Sequence, residues 1–178
     1  LRELVPGARL YMVTDTRVWD LLAKDLFERF KAEGFTIDVT VLPEGERSKS
    51  LESHLRVTED MNAAGFQRRS VVLAVGGGVV IDTAAFAAST FMRGVDYINI
   101  PTTLLAHHDA SVGGKTAVNM PWSKNFVGSF RHPRAAYIDS TVLSTLEDRD
   151  IASGIAEAIK VAICGSEPLF SLLENSVE

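Results

Sequence analysis

Short apolar segments rich in β-branched residues alternate with longer amphipathic segments along most of the sequence. The run 71–75 is apolar without alternation, which is typical of a strand covered on both faces in a parallel sheet. The segment 18–31 instead repeats an apolar residue at every fourth position, which predicts a helix with one buried stripe. The members of that stripe are Val18, Leu22, Leu26 and Phe30.

The same patterns predict the other elements of an α/β protein. Strands are predicted at 8–14, 35–42, 71–75, 97–100 and 135–139. Helices are predicted at 18–31, 50–64 and 83–91, whereas the segment 101–133 shows little periodicity. Because strands alternate with helices, we expect a Rossmann-like parallel sheet.

The sequence changes character near Leu146. Apolar residues then recur every four positions, which predicts a helix whose N-cap is Asp148 or Asp150, and a second helix follows Pro168. The apolar positions of the first of these helices are Ile151, Ile155, Ile159 and Ile163.

Two domains are therefore expected. Residues 1–146 form the α/β domain, and residues 147–178 form the start of a C-terminal all-helical domain that binds metal and substrate. The sequence begins with Leu1 rather than methionine and ends at Glu178 soon after an apolar segment. We expect a truncated part of a larger enzyme.

Three glycines, 76–78, join the buried strand at 71–75 to an alanine-rich helix, and Asp82 follows them. Without a Cβ, glycines let backbone N–H groups approach a ligand, and a helix N-terminus favours an anion there. A dinucleotide pyrophosphate suits this turn, although the spacing differs from G-x-G-x-x-G. The alternative is a tight turn that is needed only for packing.

Polar residues follow three of the predicted strands. Thr14-Asp15, the glycine turn and Thr102-Thr103 all lie at predicted carboxyl ends. Ligands of open α/β sheets bind beyond those ends, so we expect these residues to converge on one crevice.

The glycine-rich segment 107–119 is too long for a simple connector, and long loops of this kind are usually functional. Lys115 is interpreted as a cation for a phosphate or carboxylate, with Lys124 and Asn125 adding a second cation and an amide. A Walker A loop is disfavoured, because Asp109 stands where its first glycine belongs. The alternative is a solvated charged loop.

Glu157 and Lys160 are three positions apart on one predicted helix and therefore share a face. Glu157 suits a metal ion and Lys160 suits an anion, whereas the alternative is a surface ion pair. The four histidines are too scattered to form a zinc site by themselves.

Composition limits the remaining function classes. The net charge of −5 over 178 residues argues against a broad nucleic-acid surface. The one cysteine, Cys164, allows no internal disulfide and favours a reducing cytoplasm, and we expect it to be buried. No apolar run is long enough for a membrane span.

Taken in order, these residues resemble 3-dehydroquinate synthase and the wider sugar-phosphate cyclase family over nearly the whole chain. The segments that carry the resemblance are 43–49, 76–82, 93–94, 101–106, 109–119, 124–125 and 153–160. Iron-type alcohol and glycerol dehydrogenases share the glycine turn and Pro-Thr-Thr, but are not expected to share the Gly-Gly-Lys-Thr loop.

The resemblance implies a role for each of several residues. It places NAD on Asp15, Glu46, Lys49, Gly77, Gly78, Asp82, Thr102, Thr103, Lys124 and Thr145. It places substrate on the catalytic residues Arg93, Asp109, Lys115, Asn125 and Lys160, with Arg93 reaching the neighbouring subunit's site in a homodimer of the full-length enzyme. Glu157 is implied to be one of three ligands of Zn²⁺ or Co²⁺, the other two being histidines outside this chain.

The implied reaction cyclises 3-deoxy-arabino-heptulosonate 7-phosphate, a phosphorylated sugar acid, to 3-dehydroquinate with loss of phosphate. NAD acts catalytically in it, because the net redox change is zero. Three alternatives stay open: a sister cyclase of sedoheptulose 7-phosphate, a metal-dependent polyol dehydrogenase, and a non-catalytic nucleotide-binding module. Arg17 and Ile81 depart from the family pattern, as does the pair His107-His108. The chain by itself is expected to have negligible turnover.

Overall fold

The computed structural model describes residues 3–176, so the two ends at which truncation is expected lie outside the described residues. The strands are β1 (Leu10–Asp15), β2 (Ile37–Leu42), β3 (Val71–Gly76), β4 (Asp96–Pro101), β5 (Lys115–Met120), β6 (Ser123–Phe130) and β7 (Ala135–Ala136). The helices are α1 (Thr16–Val18), α2 (Lys24–Ala32), α3 (Leu51–Ala63), α4 (Gly78–Thr90), α5 (Leu104–His108), α6 (Asp148–Gly165) and α7 (Glu167–Asn175).

Five parallel strands form the central sheet in the order β2-β1-β3-β4-β7. One face packs against α3 and α4 through a core that includes Tyr11, Val57 and Ile81. The other face packs against α2 through Met12 and Phe27. All six residues of β3 are buried, so the expected strand covered on both faces is confirmed, as is the α/β fold.

The first helix differs from its predicted pattern. A π-helical turn, Trp19–Ala23, separates α1 from α2. The π-helical turn brings Ala23 and Phe27 into the core, while Val18, Leu26 and Phe30 of the predicted stripe pack partly buried against the same core. Of the predicted stripe, Leu22 lines a cavity instead of the core.

The segment 101–133 is more regular than its sequence indicates. It contains α5 and the antiparallel hairpin β5–β6, whose strands are exposed or partly buried apart from the buried Thr116 and Val118. The Ser129 hydroxyl donates to the Ser89 hydroxyl across 2.8 Å and joins this hairpin to α4. Strand β7 is only two residues long, which is shorter than the predicted strand 135–139.

Helix α6 packs on α5 through its small residues Gly154, Ala158 and Ala162, while Ile155 and Ile163 are exposed. Its N-cap is Glu147, without a side-chain cap hydrogen bond, so capping by Asp148 or Asp150 is wrong. The expected domain boundary at 146 falls between the 3₁₀ turn Ser140–Thr145 and α6 and stays a prediction.

Two further features bear on the sequence predictions. Cys164 is exposed near the end of α6 and not buried, because it lies on the face turned away from α5. Within residues 3–176, none of the helices has the length and apolar character needed to cross a bilayer.

Candidate functional site

A cavity of about 690 Å³ opens at the carboxyl ends of β1, β3 and β4. It brings together most of the residues that the sequence singled out. The predicted site residues that line it are Asp15, Glu46, Lys49, Gly77, Gly78, Asp82, Thr102, Thr103, Asp109, Asn125, Thr145 and Glu157. The expected convergence of strand ends is therefore observed, as parallel sheets require.

A second cavity, of about 350 Å³, adjoins the first and contains Lys115. The two cavities share Asp82, Asp109 and Asn125 along their common wall. Lys115 therefore lines a compartment next to the glycine-turn cavity, bounded by the β5–β6 hairpin.

Three predicted site residues, all within the described range, line neither cavity. Lys124 reaches toward the site, with Nζ 3.7 Å from Oε1 of Glu46. Lys160 is exposed and forms an ion pair with Glu157. Arg93 lies in the 3₁₀ turn after α4, with a left-handed φ of 72°.

The glycine turn serves both packing and access. A Cβ on Gly76 would meet Val80 at 2.6 Å, so this glycine is required by the turn itself. A Cβ on Gly77 would meet Thr103 at 3.0 Å at the cavity wall. Gly77 is the N-cap of the 13-residue helix α4, and no side chain caps that helix. Its first N–H groups therefore face a space suited to an anion.

The threonines after β4 are fixed by backbone contacts. The Thr102 N–H donates to the carbonyl of Gly76 at 3.0 Å, which joins this segment to the glycine turn. The Thr103 hydroxyl accepts from the N–H of Ala106 at 3.2 Å and caps α5. Both residues line the larger cavity.

Asp15 ends β1 and caps α1. Its Oδ1 accepts a hydrogen bond from the N–H of Val18 at 2.9 Å. Burial raises the pKa of Asp15 above its usual value, and the hydrogen bond from Val18 only partly opposes that effect.

Lys49 and Asp82 form an ion pair in the cavity wall, with side chains 8% and 17% exposed. Burial raises the pKa of Asp82, while the hydrogen bond and charge of Lys49 lower it. This pair joins the 3₁₀ turn Glu46–Ser48 to α4.

Asn119 is a site-supporting residue that sequence reasoning missed. Its Nδ2 donates to Glu46 at 2.8 Å, and its Oδ1 accepts from the N–H of Asn125 at 2.9 Å. Its own N–H donates to the carbonyl of Lys49 at 2.9 Å. The β5–β6 hairpin is thereby tied to the 3₁₀ turn Glu46–Ser48 and to Lys49, a contact between segments that local sequence patterns do not indicate.

Arg17 also lines the larger cavity and was not assigned to the site. Its guanidinium lies 3.1 Å from Glu147 and 3.9 Å from Asp150, both at the start of α6. The sequence feature that could have indicated Arg17 as a site residue is its position two residues after Asp15, at a predicted strand end.

Glu157 is mostly buried and lines the larger cavity. The same carboxylate accepts from Lys160 and raises the pKa of that amine. The described part of the chain contains no cluster of three or more His, Cys, Asp or Glu residues arranged for a metal ion. Glu157 is suited to be one ligand, but residues 3–176 alone do not form a catalytic metal centre, which takes three protein ligands.

The parallel sheet, the uncapped glycine turn and the crevice beyond the strand ends define an α/β protein with a candidate ligand site at its sheet edge. Residues 39–153 match the family described as 3-dehydroquinate synthase N-terminal. The chain therefore belongs to the 3-dehydroquinate synthase family.

Similar proteins agree with this family. A 3-dehydroquinate synthase of Thermoanaerobacter sp. (strain X514) is 44% identical over 177 residues, covering 99% of this chain and 50% of the relative. The chain thus spans about half the length of the curated relatives it matches.

Two solved structures resemble the chain closely. ValA, a 2-epi-5-epi-valiolone synthase from Streptomyces hygroscopicus subsp. jinggangensis 5008 with NAD⁺ and Zn²⁺ bound, superimposes with a TM-score of 0.90 at 36% identity, covering 95% of this chain and 47% of that one. A 2-deoxy-scyllo-inosose synthase complexed with carbaglucose-6-phosphate, NAD⁺ and Co²⁺ gives 0.80 at 32% identity, covering 85% and 42%.

Proposed function

We propose that the protein containing this chain is a 3-dehydroquinate synthase that cyclises 3-deoxy-arabino-heptulosonate 7-phosphate, with loss of phosphate, for aromatic amino acid biosynthesis in the cytoplasm. The observation that carries this proposal is the common wall of the two cavities. There Asp109 and Asn125 lie between the glycine turn and the compartment of Lys115.

The larger cavity is suited to NAD. Its volume of about 690 Å³ lies within the usual range for small-molecule and cofactor sites. The uncapped start of α4 suits the pyrophosphate, and the carboxylates of Asp15 and Glu46 suit the ribose hydroxyl groups as acceptors. NAD supplies a hydride acceptor that is regenerated within one turnover.

The smaller cavity is suited to the phosphorylated end of the substrate. The Lys115 ammonium group neutralises phosphate or carboxylate charge, and the Asn125 side-chain amide orients the same ligand by hydrogen bonding. The carboxylate of Asp109, on the wall shared by both cavities, is positioned to hold a substrate hydroxyl or its proton. Arg93, Lys124 and Lys160 complete the substrate and cofactor contacts in this proposal.

The metal assignment rests on Glu157 and on the ions bound in the similar synthases. We place Zn²⁺ or Co²⁺ beside Glu157 in the complete protein, with its remaining ligands supplied from outside this chain. Substrate turnover by residues 1–178 alone is therefore expected to be negligible. We also propose a homodimer for the full-length enzyme.

The test is an assay of the complete protein with 3-deoxy-arabino-heptulosonate 7-phosphate. We expect phosphate release together with 3-dehydroquinate and no net formation of NADH. Net NADH accumulation on a polyol would instead show a dehydrogenase. Titration of the present chain with NAD⁺ separately tests the cofactor site, and absence of binding would contradict it.

A sister cyclase is the second candidate, because the superposition on a valiolone synthase is close. Parallel assays with sedoheptulose 7-phosphate distinguish the two reactions. In either case, Lys115→Ala in the complete protein should weaken substrate handling far more than NAD⁺ affinity. A collapse of NAD⁺ binding in that variant would show that Lys115 belongs to the cofactor site.

A further inference from the structure

His107 is a buried histidine in α5 that lies behind the cavity wall, not on it. Its Nε2 lies 3.0 Å from the carbonyl oxygen of Pro101, and the residue is only 9% exposed. A carbonyl oxygen can only accept a hydrogen bond. The imidazole therefore carries its hydrogen on Nε2 and donates it to Pro101.

The sheet itself does not supply this donor. Strand β7 pairs with β4 only at Ile98 and Asn99, so the ladder ends before Pro101. Successive peptide groups of a strand point to opposite sides, and the next N–H, that of Thr102, points to Gly76 of β3. The carbonyl of Pro101 consequently points to the β7 side of β4, beyond the point where β7 ends. A buried acceptor at this position needs a partner from outside the sheet.

A second set of hydrogen bonds holds His107 itself. The Ser111 hydroxyl donates to the carbonyl of His107 at 3.3 Å, and the side chain of Asn99 donates to the carbonyl of Ser111 at 2.9 Å. All three residues are buried. These hydrogen bonds link His107 to Asn99 of β4, the same strand whose last carbonyl, that of Pro101, accepts from the His107 ring.

We propose that His107 is a positioning residue that fixes the Pro101–Thr102 peptide and thereby sets the geometry of the NAD site. One side of that peptide is held by His107 and the other by Gly76. Thr102 and Thr103, which follow directly, line the larger cavity. The functional part of this inference rests on the proposed NAD site.

Two variants separate the hydrogen bond from the volume of the side chain. His107→Leu fills a similar space without a donor, whereas His107→Gln retains an N–H that can reach the same carbonyl. The exposed neighbour His108 provides the matched control, His108→Leu. The measurements on this chain are NAD⁺ affinity by calorimetry, exchange of the Thr102 amide hydrogen by NMR, and the thermal unfolding midpoint.

We expect His107→Leu to bind NAD⁺ about three- to tenfold more weakly, as the loss of one hydrogen bond implies. Exchange of the Thr102 amide should accelerate in the same variant. His107→Gln should restore both properties toward the original values, and His108→Leu should change neither. A folded His107→Leu variant with unchanged NAD⁺ affinity would overturn the proposal.

The structural part can be tested without any cofactor. In ¹⁵N spectra of the unsubstituted chain, we expect the His107 ring to show the Nε2–H tautomer. An Nδ1–H tautomer would overturn the proposal even if His107→Leu did not fold. If the original chain binds no NAD⁺, the proposed cofactor site fails, and the Thr102 exchange rate then decides whether His107 fixes this peptide.

Discussion

Lys49 and Asp82 are the residues whose burial most directly links the stability of the chain to its candidate cofactor site. Both side chains are largely removed from solvent and form one ion pair in the cavity wall. Removing one member of a buried pair leaves the other charge without compensation, which is strongly destabilising. Each charge of such a pair is compensated only while the other is present.

Asp82→Ala should therefore lower the free energy of unfolding by about 3 kcal/mol and also weaken NAD⁺ binding. The control is Lys49→Met combined with Asp82→Leu, which removes both charges and keeps apolar volume. Urea unfolding of the double variant should return close to the original stability, while calorimetry should still show weakened NAD⁺ binding. Full NAD⁺ affinity in the double variant would exclude this pair from the cofactor site.

Asp15 introduces a pH dependence of stability with a defined sign. Burial raises its folded-state pKa above the usual value of 3.8, so the folded chain holds a proton that the unfolded chain has lost. Stability consequently falls as the pH rises from the usual pKa of 3.8 to the raised folded-state pKa of Asp15. The free-energy cost of burying the Asp15 carboxylate is absent below the usual pKa and fully present above the folded-state pKa.

Asp15→Asn should remove that cost, because asparagine retains the Oδ1 acceptor that caps α1. We expect the variant to be more stable than the original chain near pH 7 and equally stable near pH 3. Urea unfolding across this range measures the difference. A constant difference at all pH values would show that the carboxylate charge is not its cause.

Helix α6 contains two glycines with opposite surroundings. A Cβ on Gly154 would lie 2.5 Å from the side chain of Leu104, whereas a Cβ on Gly165 would meet nothing within 4 Å. Gly154→Ala must therefore push α6 away from α5, together with Glu157 on the next turn. We expect a loss of about 1–3 kcal/mol in the free energy of unfolding.

Gly165→Ala is the matched control within the same helix. It should be neutral or stabilise the chain by up to about 1 kcal/mol, because alanine favours helix and no contact is strained. Thermal or urea unfolding of both variants gives the comparison. Equal stability of the two variants would contradict close packing of α5 on α6.

The elements that were predicted correctly are those whose apolar pattern or capping residue lies within the element itself. The apolar run of β3 and the segment that Ser50 caps as α3 are local signals, and both were confirmed. The hairpin β5–β6 was missed because only Thr116 and Val118 of its strands are buried, so little apolar alternation exists along it. Its position depends on distant partners such as Ser89, which no local pattern contains.

At the scale of the whole molecule, topology explains why much of the site could be anticipated. The carboxyl ends of parallel strands meet at one edge, so Asp15, Gly77 and Thr102 converge however far apart they lie in sequence. Contacts that depend on loop geometry were not predictable in this way. The Lys49–Asp82 pair and the reach of Arg17 to Glu147 are of this second kind.

The combined charge of the larger cavity makes a prediction about cofactor choice. Carboxylates outnumber cations among its lining residues, and Glu44, Glu46 and Asp15 lie together around the turn after β2 and the end of β1. An acidic residue suits the free ribose hydroxyl of NAD⁺, whereas it repels the additional phosphate of NADP⁺. We therefore expect NADP⁺ to bind at least about tenfold more weakly than NAD⁺ at low ionic strength.

Calorimetric titrations of this chain with both cofactors, at low and at high salt, measure that preference. The difference should narrow at high salt, because salt screens repulsion at a partly open cavity. Glu44→Gln should also reduce the difference between the two affinities, because it removes a charge that repels the additional phosphate of NADP⁺. The affinity for NAD⁺ should change little. Equal affinities at low salt would mean that these carboxylates do not surround the adenosine ribose, and the orientation of the dinucleotide in the cavity would then have to be reversed.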